Sequence, residues 1–318
     1  MTTTTRILGL GHYRPETIVS NADLIARGID TDDEWIRSRV GITERHFAAE
    51  HETVVDMAAV AAANALASSG TTPDDIDLVL VATCTMPTPV PAAAPQLAYR
   101  LGIDSPGAFD VNSGCSGFVY SLNVATAAVQ SGQARNVLVV AAERFSGWLD
   151  FTDRSTCIIL ADGAGAAVVG AGEASPIGAG IGPVVWGSDG AQFDAVAIDE
   201  RTGMFRQEGQ SVYRWATSRI APVALQACER YGISPHEIAA FVPHQANLRI
   251  IDAIAKRLGV DNAVIARDIE TSGNTSAASI PLALSRMVEA GEISSGAPVL
   301  LVGFGSGLAF AAQVVLAP

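Results

Sequence analysis

The chain has 318 residues, of which 49% are apolar, and a formal net charge of −13; this is enough apolar material for a large core in one or two domains. The negative charge argues against nucleic acid as a partner, and no apolar run reaches the roughly 18 residues of a membrane span. Four scattered cysteines without a CxxC pair argue against a metal site or a disulfide scaffold, and with a start unlike a signal peptide they predict a cytoplasmic protein.

Helical and buried-strand patterns alternate along the chain. An Ala-rich helical segment at about 53–69 precedes an apolar run at 78–82. An extended stretch at 107–111 then leads through a turn into a helical segment at 118–132, and a second apolar run follows at 137–140. Runs that are apolar throughout are typical of strands covered on both faces. The pattern therefore predicts an α/β fold with helices on both sides of its sheets.

The same order of elements recurs 162 residues further along the chain. The aligned pairs are 70–76 with 232–238, 136–140 with 298–302, and about 53–69 with about 215–231. Chance can match one apolar strand to another, but one constant offset over a helix, a turn and two strands predicts two copies of one unit. We place the halves at 1–172 and 173–318. Because the offset sets Cys115 opposite Ala277, we expect loops of the two halves to meet at one site.

Cys115 stands in the motif Ser-Gly-Cys-Ser-Gly-Phe, between the extended stretch and the helical segment that follows it. At the N-terminus of a helix, free N–H groups and the helix dipole stabilise a thiolate, so we expect the pKa of this cysteine to be lower than its free value of about 8.5. Two later segments, PHQAN at 243–247 and GNTS at 273–276, offer His244 and Asn274 as partners of a nucleophile. Taken singly, the three residues are equally typical of a small buried cysteine, a core histidine and a Gly-Asn turn.

The motifs SGCSGF at 113–118, VPHQANLRIID at 242–252 and GNTSAASIPLAL at 273–284 resemble those of the β-ketoacyl-acyl-carrier-protein synthase III family. The resemblance runs from Arg6 to the C-terminus. It implies the thiolase-like αβαβα fold of five layers, which agrees with the duplication. It also implies the initiating condensation of fatty-acid synthesis, in which an acyl-CoA and malonyl-acyl-carrier protein give 3-oxoacyl-acyl-carrier protein, CoA and CO2.

The resemblance assigns a role to each catalytic residue. It implies that Cys115 takes up the acyl group and that His244 and Asn274 stabilise the enolate formed when malonyl loses CO2. Backbone N–H groups of Cys115 and Ser306 are expected to form the oxyanion hole of the acylation step. The resemblance further implies a homodimer that needs no metal and no redox cofactor.

Substrate-binding residues follow from the same resemblance. Those expected to bind CoA are Trp35, Arg39, Arg154, Gly209, Tyr213, Ala246, Asn247 and Phe304. An indole and a guanidinium can enclose adenine and arginine suits phosphate, although a helix core and a solvated face would explain the same residues. An acidic carrier protein needs a basic patch on this acidic chain, and the residues expected to supply it are Arg214, Arg249, Lys256 and Arg257. A plain solvated helix face is the alternative there.

Departures from the family pattern concern acyl specificity. Val90 stands where a phenylalanine can close the primer pocket of some relatives, and the resemblance implies that Val90 of one subunit reaches the acyl pocket of the other. We therefore expect primers larger than acetyl, either branched or medium-chain. A starter-unit ketosynthase or acyltransferase of a polyketide pathway is the main alternative function. A degradative thiolase would need a second cysteine in the loop 303–307, which has none. A non-catalytic partner subunit would lose the nucleophile, whereas Cys115 is present.

Overall fold

Two mixed sheets of five strands each form the centre of the protein in the computed structural model, which describes residues 4–173 and 178–318. Residues 1–3, in the stretch expected to lack a signal peptide, and residues 174–177, in the predicted second half, lie outside the described residues.

The described strands and helices, in chain order, include every segment that the sequence patterns predict. The strands are β1 (Thr4–Tyr13), β2 (Thr17–Ser20), β3 (Glu44–Phe47), β4 (Leu78–Ala82), β5 (Gly107–Val111), β6 (Asn136–Arg144), β7 (Asp162–Gly172), β8 (Val185–Ser188), β9 (Val196–Ile198), β10 (Phe205–Gln207), β11 (Ala240–Pro243), β12 (Val264–Ile265), β13 (Pro298–Phe304) and β14 (Ala309–Leu316). The helices are α1 (Asn21–Ala26), α2 (Asp33–Val40), α3 (Val54–Ser69), α4 (Ala93–Leu101), α5 (Gly117–Gln130), α6 (Gly209–Tyr231), α7 (Leu248–Leu258), α8 (Ile269–Ser272) and α9 (Ser279–Glu289).

The two five-stranded sheets have the same topology. The first has the order β1-β7-β6-β4-β5 and the second, read from its other edge, the order β8-β14-β13-β11-β12. In both sheets the last three strands in this order are parallel to one another: β6, β4 and β5 in the first sheet, and β13, β11 and β12 in the second. The other neighbouring strands pair in the antiparallel direction. The duplication predicted from the sequence is therefore confirmed, whereas the boundary between residues 172 and 173 stays a prediction.

The offset of 162 residues also holds for turns and helix ends. Helices α3 and α6 both end at a left-handed glycine, Gly70 with φ 69° and Gly232 with φ 88°, a conformation in which a side chain would be strained. The turn of 3-10 helix at Gly114–Ser116 corresponds to that at Ser276–Ala278, and α5 and α9 follow them. These two helix starts face each other, which sets Cys115 opposite the loop that carries Asn274.

Helices α5 and α9 lie between the two sheets and form the middle of five layers. Their apolar side chains, such as Phe118, Leu122 and Leu284, pack with Val139 and Leu301 of the sheets, and all five are fully buried. Burying each such side chain stabilises the fold by about 1.5–3 kcal/mol. Helices α3 and α4 cover the outer face of the first sheet, and α6 and α7 cover that of the second. No described helix is both long enough and apolar enough to cross a bilayer.

A smaller cluster covers the end of the sheets at which the parallel strands finish. It contains α1, α2, the β2–β3 hairpin and the segment around Phe145–Leu160. Arg45 of β3 is fully buried within it and donates to the carbonyl oxygens of Val19 and Ile158 and to Asn21 Oδ1. These hydrogen bonds join parts of the cover to one another, and Asn21 Nδ2 in turn donates to Asp33 at the start of α2, the helix that carries Trp35.

Candidate active site

A cavity of about 800 Å³ reaches from the surface to Cys115 and lies between the two halves. Cys115 comes from the first half, and His244, Asn274 and Phe304 come from the second. The three residues expected to carry the chemistry thus line one cavity, although 159 residues separate the first from the last (274 − 115). The sheet topology brings them together, because the loops after the parallel strands of both halves open at the same end.

Cys115 lies in the 3-10 turn immediately before α5, where the sequence places it. The glycine loop after β13 passes directly over its side chain: a Cβ atom on Gly305 would lie 2.9 Å from the sulfur. Glycine is therefore required at this position by close approach. The same loop brings the backbone N–H of Ser306 to the sulfur, and the Cys115 N–H also faces it.

The expected lowering of the Cys115 pKa is wrong. Burial raises the pKa of this thiol to about 11, and the charge of Glu143 acts in the same direction. Hydrogen bonds from the Ser276 side chain and from the backbone N–H groups of Cys115 and Ser306 oppose the rise. The effect of burial on the pKa is larger than that of the helix N-terminus, because the charged thiolate loses more solvation free energy than the neutral thiol when water is removed. At neutral pH Cys115 is therefore a thiol.

His244 follows β11 and its side chain is almost fully buried. Its Nδ1 lies 2.7 Å from Ser279 Oγ on α9, and its ring packs edge-on against Phe304 with centroids 5.4 Å apart. Burial lowers the pKa of His244 to about 3, and a hydrogen bond with the Ser276 backbone acts in the opposite direction. The imidazole is therefore neutral at neutral pH. With Nδ1 engaged by Ser279, Nε2 is the nitrogen left for a substrate.

Asn274 is held by its own loop. Its Oδ1 accepts the Ser276 N–H at 2.8 Å, and its backbone N–H donates to the Ile159 carbonyl at 3.0 Å. The preceding Gly273 has φ 72°, and a Cβ there would lie 2.8 Å from the Cβ of Ala161, so both conformation and space demand glycine. Because Oδ1 is engaged, the amide NH2 of Asn274 is the group available to the cavity.

All eight residues expected to bind CoA line this cavity. The guanidinium of Arg154 lies 4.9 Å from the Trp35 ring centroid and that of Arg39 lies 5.9 Å from it. Asn247 caps α7 by accepting the Arg249 N–H at 2.9 Å and donates to the Arg39 carbonyl at 3.1 Å. An aromatic ring with two guanidinium groups close to it suits a nucleotide with phosphate groups.

The structure divides the residues expected to bind the carrier protein into two pairs. Arg214 and Arg249 line the outer cavity, and the Arg249 guanidinium lies 5.5 Å from the Tyr213 ring centroid. Lys256 and Arg257 lie two turns further along α7 and outside the cavity lining; Arg257 donates to the Thr217 carbonyl oxygen. Arg249 therefore lines the same cavity as the residues expected to bind CoA.

Val90 is 78% exposed and is not among the residues that line the cavity of its own chain. It lies in the loop between β4 and α4, near the free edge of the first sheet. Its expected place in a primer pocket therefore requires a second subunit.

Four polar residues at this site escaped the sequence analysis: Cys84, Glu143, Ser276 and Ser279. Glu143 is fully buried beside the nucleophile, and Ser276 Oγ lies 3.4 Å from Cys115 Sγ. The one signal in the sequence is that Glu143 directly follows the apolar run at 137–142, where a buried strand ends. Carboxyl ends of parallel strands are where α/β proteins place their functional groups.

Two family models match this chain. Residues 109–190 match the model described as 3-oxoacyl-[acyl-carrier-protein] synthase III, and residues 228–316 match that of the C-terminal part of the same protein. β-Ketoacyl-[acyl-carrier-protein] synthase III 2 of Streptomyces avermitilis is 54% identical over 98% of this chain and 99% of its own length. The mycobacterial β-ketoacyl-[acyl-carrier-protein] synthase III of Mycobacterium avium is 46% identical over 98% and 95%.

Solved structures show the same fold. The priming β-ketosynthase of the R1128 polyketide pathway has a TM-score of 0.95 and 42% identity, covering 100% of this chain and 97% of its own. The 3-oxoacyl-[acyl-carrier-protein] synthase III of Aquifex aeolicus has a TM-score of 0.93 and 36% identity, covering 98% and 99%.

The duplicated αβαβα fold, with a cysteine, a histidine and an asparagine facing one deep cavity, is that of a thiolase-fold condensing enzyme, an acyltransferase. The matches cover the cysteine motif as well as the segments with His244 and Asn274. The chain belongs to the 3-oxoacyl-[acyl-carrier-protein] synthase III family. The fold and the family that the sequence motifs predict are both confirmed.

Proposed function

We propose that Cys115, His244 and Asn274 carry out the condensation of an acyl-CoA primer with malonyl-acyl-carrier protein, the first carbon–carbon bond formation of fatty-acid synthesis. The observation that carries this proposal is that all three residues line one cavity, which is also lined by Trp35 with two arginine guanidinium groups within 6 Å of its ring centroid. CoA enters along this wall, and its thioester reaches the sulfur at the bottom.

In the first half-reaction the Cys115 sulfur attacks the thioester carbonyl of the acyl-CoA. Negative charge develops on the carbonyl oxygen, and the N–H groups of Cys115 and Ser306, which face the sulfur, stabilise it. The C–S bond to CoA breaks and the acyl group stays on Cys115.

In the second half-reaction malonyl on its carrier protein occupies the same cavity. Nε2 of neutral His244 and the NH2 group of Asn274 donate to the malonyl thioester oxygen. Ser279 Oγ lies 2.7 Å from Nδ1, and a hydroxyl that donates to Nδ1 keeps the imidazole proton on Nε2. Loss of CO2 leaves an enolate, which these two donors stabilise, and its carbon attacks the acyl-cysteine. The products are 3-oxoacyl-acyl-carrier protein and free Cys115.

Mass spectrometry tests this function directly. Incubation with an acyl-CoA should add one acyl group to the Cys115 peptide, and addition of malonyl-acyl-carrier protein should convert the adduct to 3-oxoacyl-acyl-carrier protein with release of CO2. A protein that gains no adduct from a panel of short, branched and medium-chain acyl-CoAs is not this enzyme. The similarity to a polyketide priming ketosynthase makes a starter-unit role the second candidate. A marked preference for a polyketide carrier protein over a fatty-acid carrier protein would favour it.

A homodimer is the assembly that suits the exposed side of the first sheet. Strand β5 forms a free edge of that sheet, and its Phe109 is 45% exposed. An apolar edge strand of this kind is suited to pairing with the same strand of a second copy. Such pairing would also bury the neighbouring Val90 and direct it towards the partner subunit.

Val90→Phe is expected to shift primer preference towards acetyl-CoA. The larger ring would fill space in the partner's acyl pocket, and each buried methylene of a longer primer is worth about 0.8 kcal/mol, so preference should change several-fold. Competition between acetyl-CoA and a branched or medium-chain acyl-CoA measures the shift, with sedimentation to confirm the dimer. If both proteins are dimers with the same primer preference, Val90 does not line the pocket.

Lys256→Glu is expected to raise the KM for malonyl-acyl-carrier protein about two- to fivefold at low ionic strength, because an exposed charge acts mainly on association. The effect should shrink as salt is added. Acyl loading should not change, since Lys256 lies outside the cavity lining. Arg230→Glu, at the far end of α6 from the cavity, is the matched control. Equal KM values for the two variants would place the docking surface elsewhere.

A further inference from the structure

The loop ends beside Cys115 enclose a carboxylate that the proposed reaction does not yet use. Glu143, near the end of β6, is fully buried. Its carboxylate accepts hydrogen bonds from the side chains of Thr83, Thr85, Cys84 and Ser276 and from the Cys84 backbone N–H, at 2.6–3.3 Å. Within residues 4–173 and 178–318, no arginine, lysine or histidine forms an ion pair with it. An unpaired buried carboxylate destabilises a fold, so its place next to the nucleophile calls for a function.

Ser276 connects this carboxylate to the nucleophile. Its Oγ lies 3.4 Å from Cys115 Sγ and 3.2 Å from Glu143 Oε1. An ionised carboxylate can only accept hydrogen bonds, whereas a thiol can donate one. The Ser276 hydroxyl has one proton and can donate it to Cys115 Sγ or to Glu143 Oε1. When it donates to an ionised Glu143, its oxygen can accept the proton of the Cys115 thiol.

The backbone holds Ser276 in this bridging position. Ser276 has φ 51°, a left-handed conformation that costs a non-glycine residue of order 1–3 kcal/mol. The Asn274 side chain stabilises that conformation by accepting the Ser276 N–H. Asn274 is also the proposed hydrogen-bond donor in decarboxylation. Ser276 and Asn274 lie in the same loop, so this loop serves both half-reactions.

We propose that Glu143, acting through the hydroxyl of Ser276, takes up the Cys115 proton during acyl loading and holds it until condensation. The inference rests on the proposed acyl-cysteine intermediate. As the S–C bond forms, the thiol proton moves to Ser276 Oγ and the Ser276 proton moves to Glu143 Oε1. The bond to CoA breaks, and the CoA thiolate takes one proton from water. The acyl-enzyme then contains a neutral Glu143.

Condensation reverses the transfer. When the enolate carbon has attacked the acyl-cysteine, the Cys115 sulfur leaves with the electron pair of the S–C bond. Ser276 gives its proton to that sulfur, and Glu143 returns its own to Ser276. The thiol and the carboxylate are restored, and the proton used over the whole cycle is the one taken up by CoA.

The surroundings favour Glu143 over His244 as the acceptor. Burial raises the pKa of Glu143 above that of an ordinary glutamate, so it can hold a proton, whereas His244, with a pKa lowered to about 3, cannot. The other titratable groups in contact with this network are the thiols of Cys84 and Cys115. Burial raises the pKa of Cys84 well above the ordinary value, so that thiol does not compete for the negative charge.

Proton uptake during a single loading reaction tests the inference. Wild-type protein mixed with an acyl-CoA in weakly buffered indicator dye at pH 7 should take up about one proton per acyl group, because CoA leaves as a thiolate while the Cys115 proton stays on Glu143. Glu143→Gln keeps the shape of the side chain but cannot hold the proton. Its loading rate should fall by about 10²-fold, and its uptake should be near zero. Ser276→Ala should behave in the same way, because it breaks the bridge.

Asp162→Asn is the matched control: it changes another fully buried carboxylate, which accepts from Ala48 and Ser146 and does not line the cavity, and it should keep an uptake of one proton per acyl group. Infrared difference spectra of wild-type protein should show a carboxylic acid band on acylation, a readout that needs no variant to fold. Loading without proton uptake in the wild type, or equal uptake in wild type and Glu143→Gln, would overturn the inference and leave the proposed function intact. Failure of the wild type to load would instead contradict the proposed function.

Discussion

Cys115→Ala is expected to abolish acyl loading and condensation, with a rate loss of at least about 10⁴-fold. Removal of the nucleophile in covalent catalysis leaves only binding and electrostatic assistance, and in a serine protease it costs about 10⁶-fold. The variant should still release CO2 from malonyl-acyl-carrier protein, since His244 and Asn274 are unchanged. Intact-protein mass spectrometry after incubation with acyl-CoA, followed by CO2 measurement, separates the two activities.

The neighbouring Cys84 supplies the control for this experiment. Its sulfur lies 3.9 Å from Ser276 Oγ, close to the 3.4 Å of Cys115, yet it lacks the helix N-terminus and the N–H of Ser306. Cys84→Ala should therefore still carry one acyl group per chain. If Cys115→Ala gains an acyl adduct and Cys84→Ala gains none, the nucleophile is Cys84 and the assignment of Cys115 is wrong.

His244→Ala and Asn274→Ala are expected to load acyl groups while losing decarboxylation by about 10²–10³-fold each, the typical cost of removing one oxyanion donor. Both donate to the malonyl thioester, whereas the acylation step uses the N–H groups of Cys115 and Ser306. Because Asn274 also holds Ser276, its loading rate should fall more than that of His244→Ala. Rapid-quench measurement of loading and of CO2 release distinguishes the two steps.

Asn274→Asp is a sharper variant of the same test. It keeps the acceptor for the Ser276 N–H but replaces the NH2 donor, so loading should recover towards the wild-type rate while decarboxylation stays low. Loss of loading in both alanine variants with decarboxylation retained would reverse the roles proposed here. Since the pKa of His244 is lowered to about 3, the imidazole stays neutral at ordinary pH, and any loss of decarboxylation near pH 5–6 should come from another group.

Local patterns in the sequence determined the elements, their duplication and the identity of the family. Apolar runs such as 78–82 and 137–140 are typical of strands covered on both faces, which they are in the structure. The constant offset of 162 residues aligns the turn of Cys115 with the turn before α9. The motifs around Cys115, His244 and Asn274 identify the family, because each is a contiguous segment that can be recognised without the tertiary structure. The predicted start of one helix is wrong: α6 begins at Gly209 rather than near 215. The first residues of α6 lack the Ala-rich pattern on which the prediction rested, and several of them line the cavity.

Only the tertiary structure decided the electrostatics of the site. The raised pKa of Cys115 arises from burial under the loop after β13 and from Glu143, and neither can be read from the helix start that predicts a lowered pKa. Likewise, Glu143 and Ser276 lie 133 residues apart in sequence and 3.2 Å apart in space. Hydration and charge at a site depend on every segment packed around it, and those segments come from both halves of the chain. A sequence motif determines which groups are present, whereas packing determines their protonation and their partners.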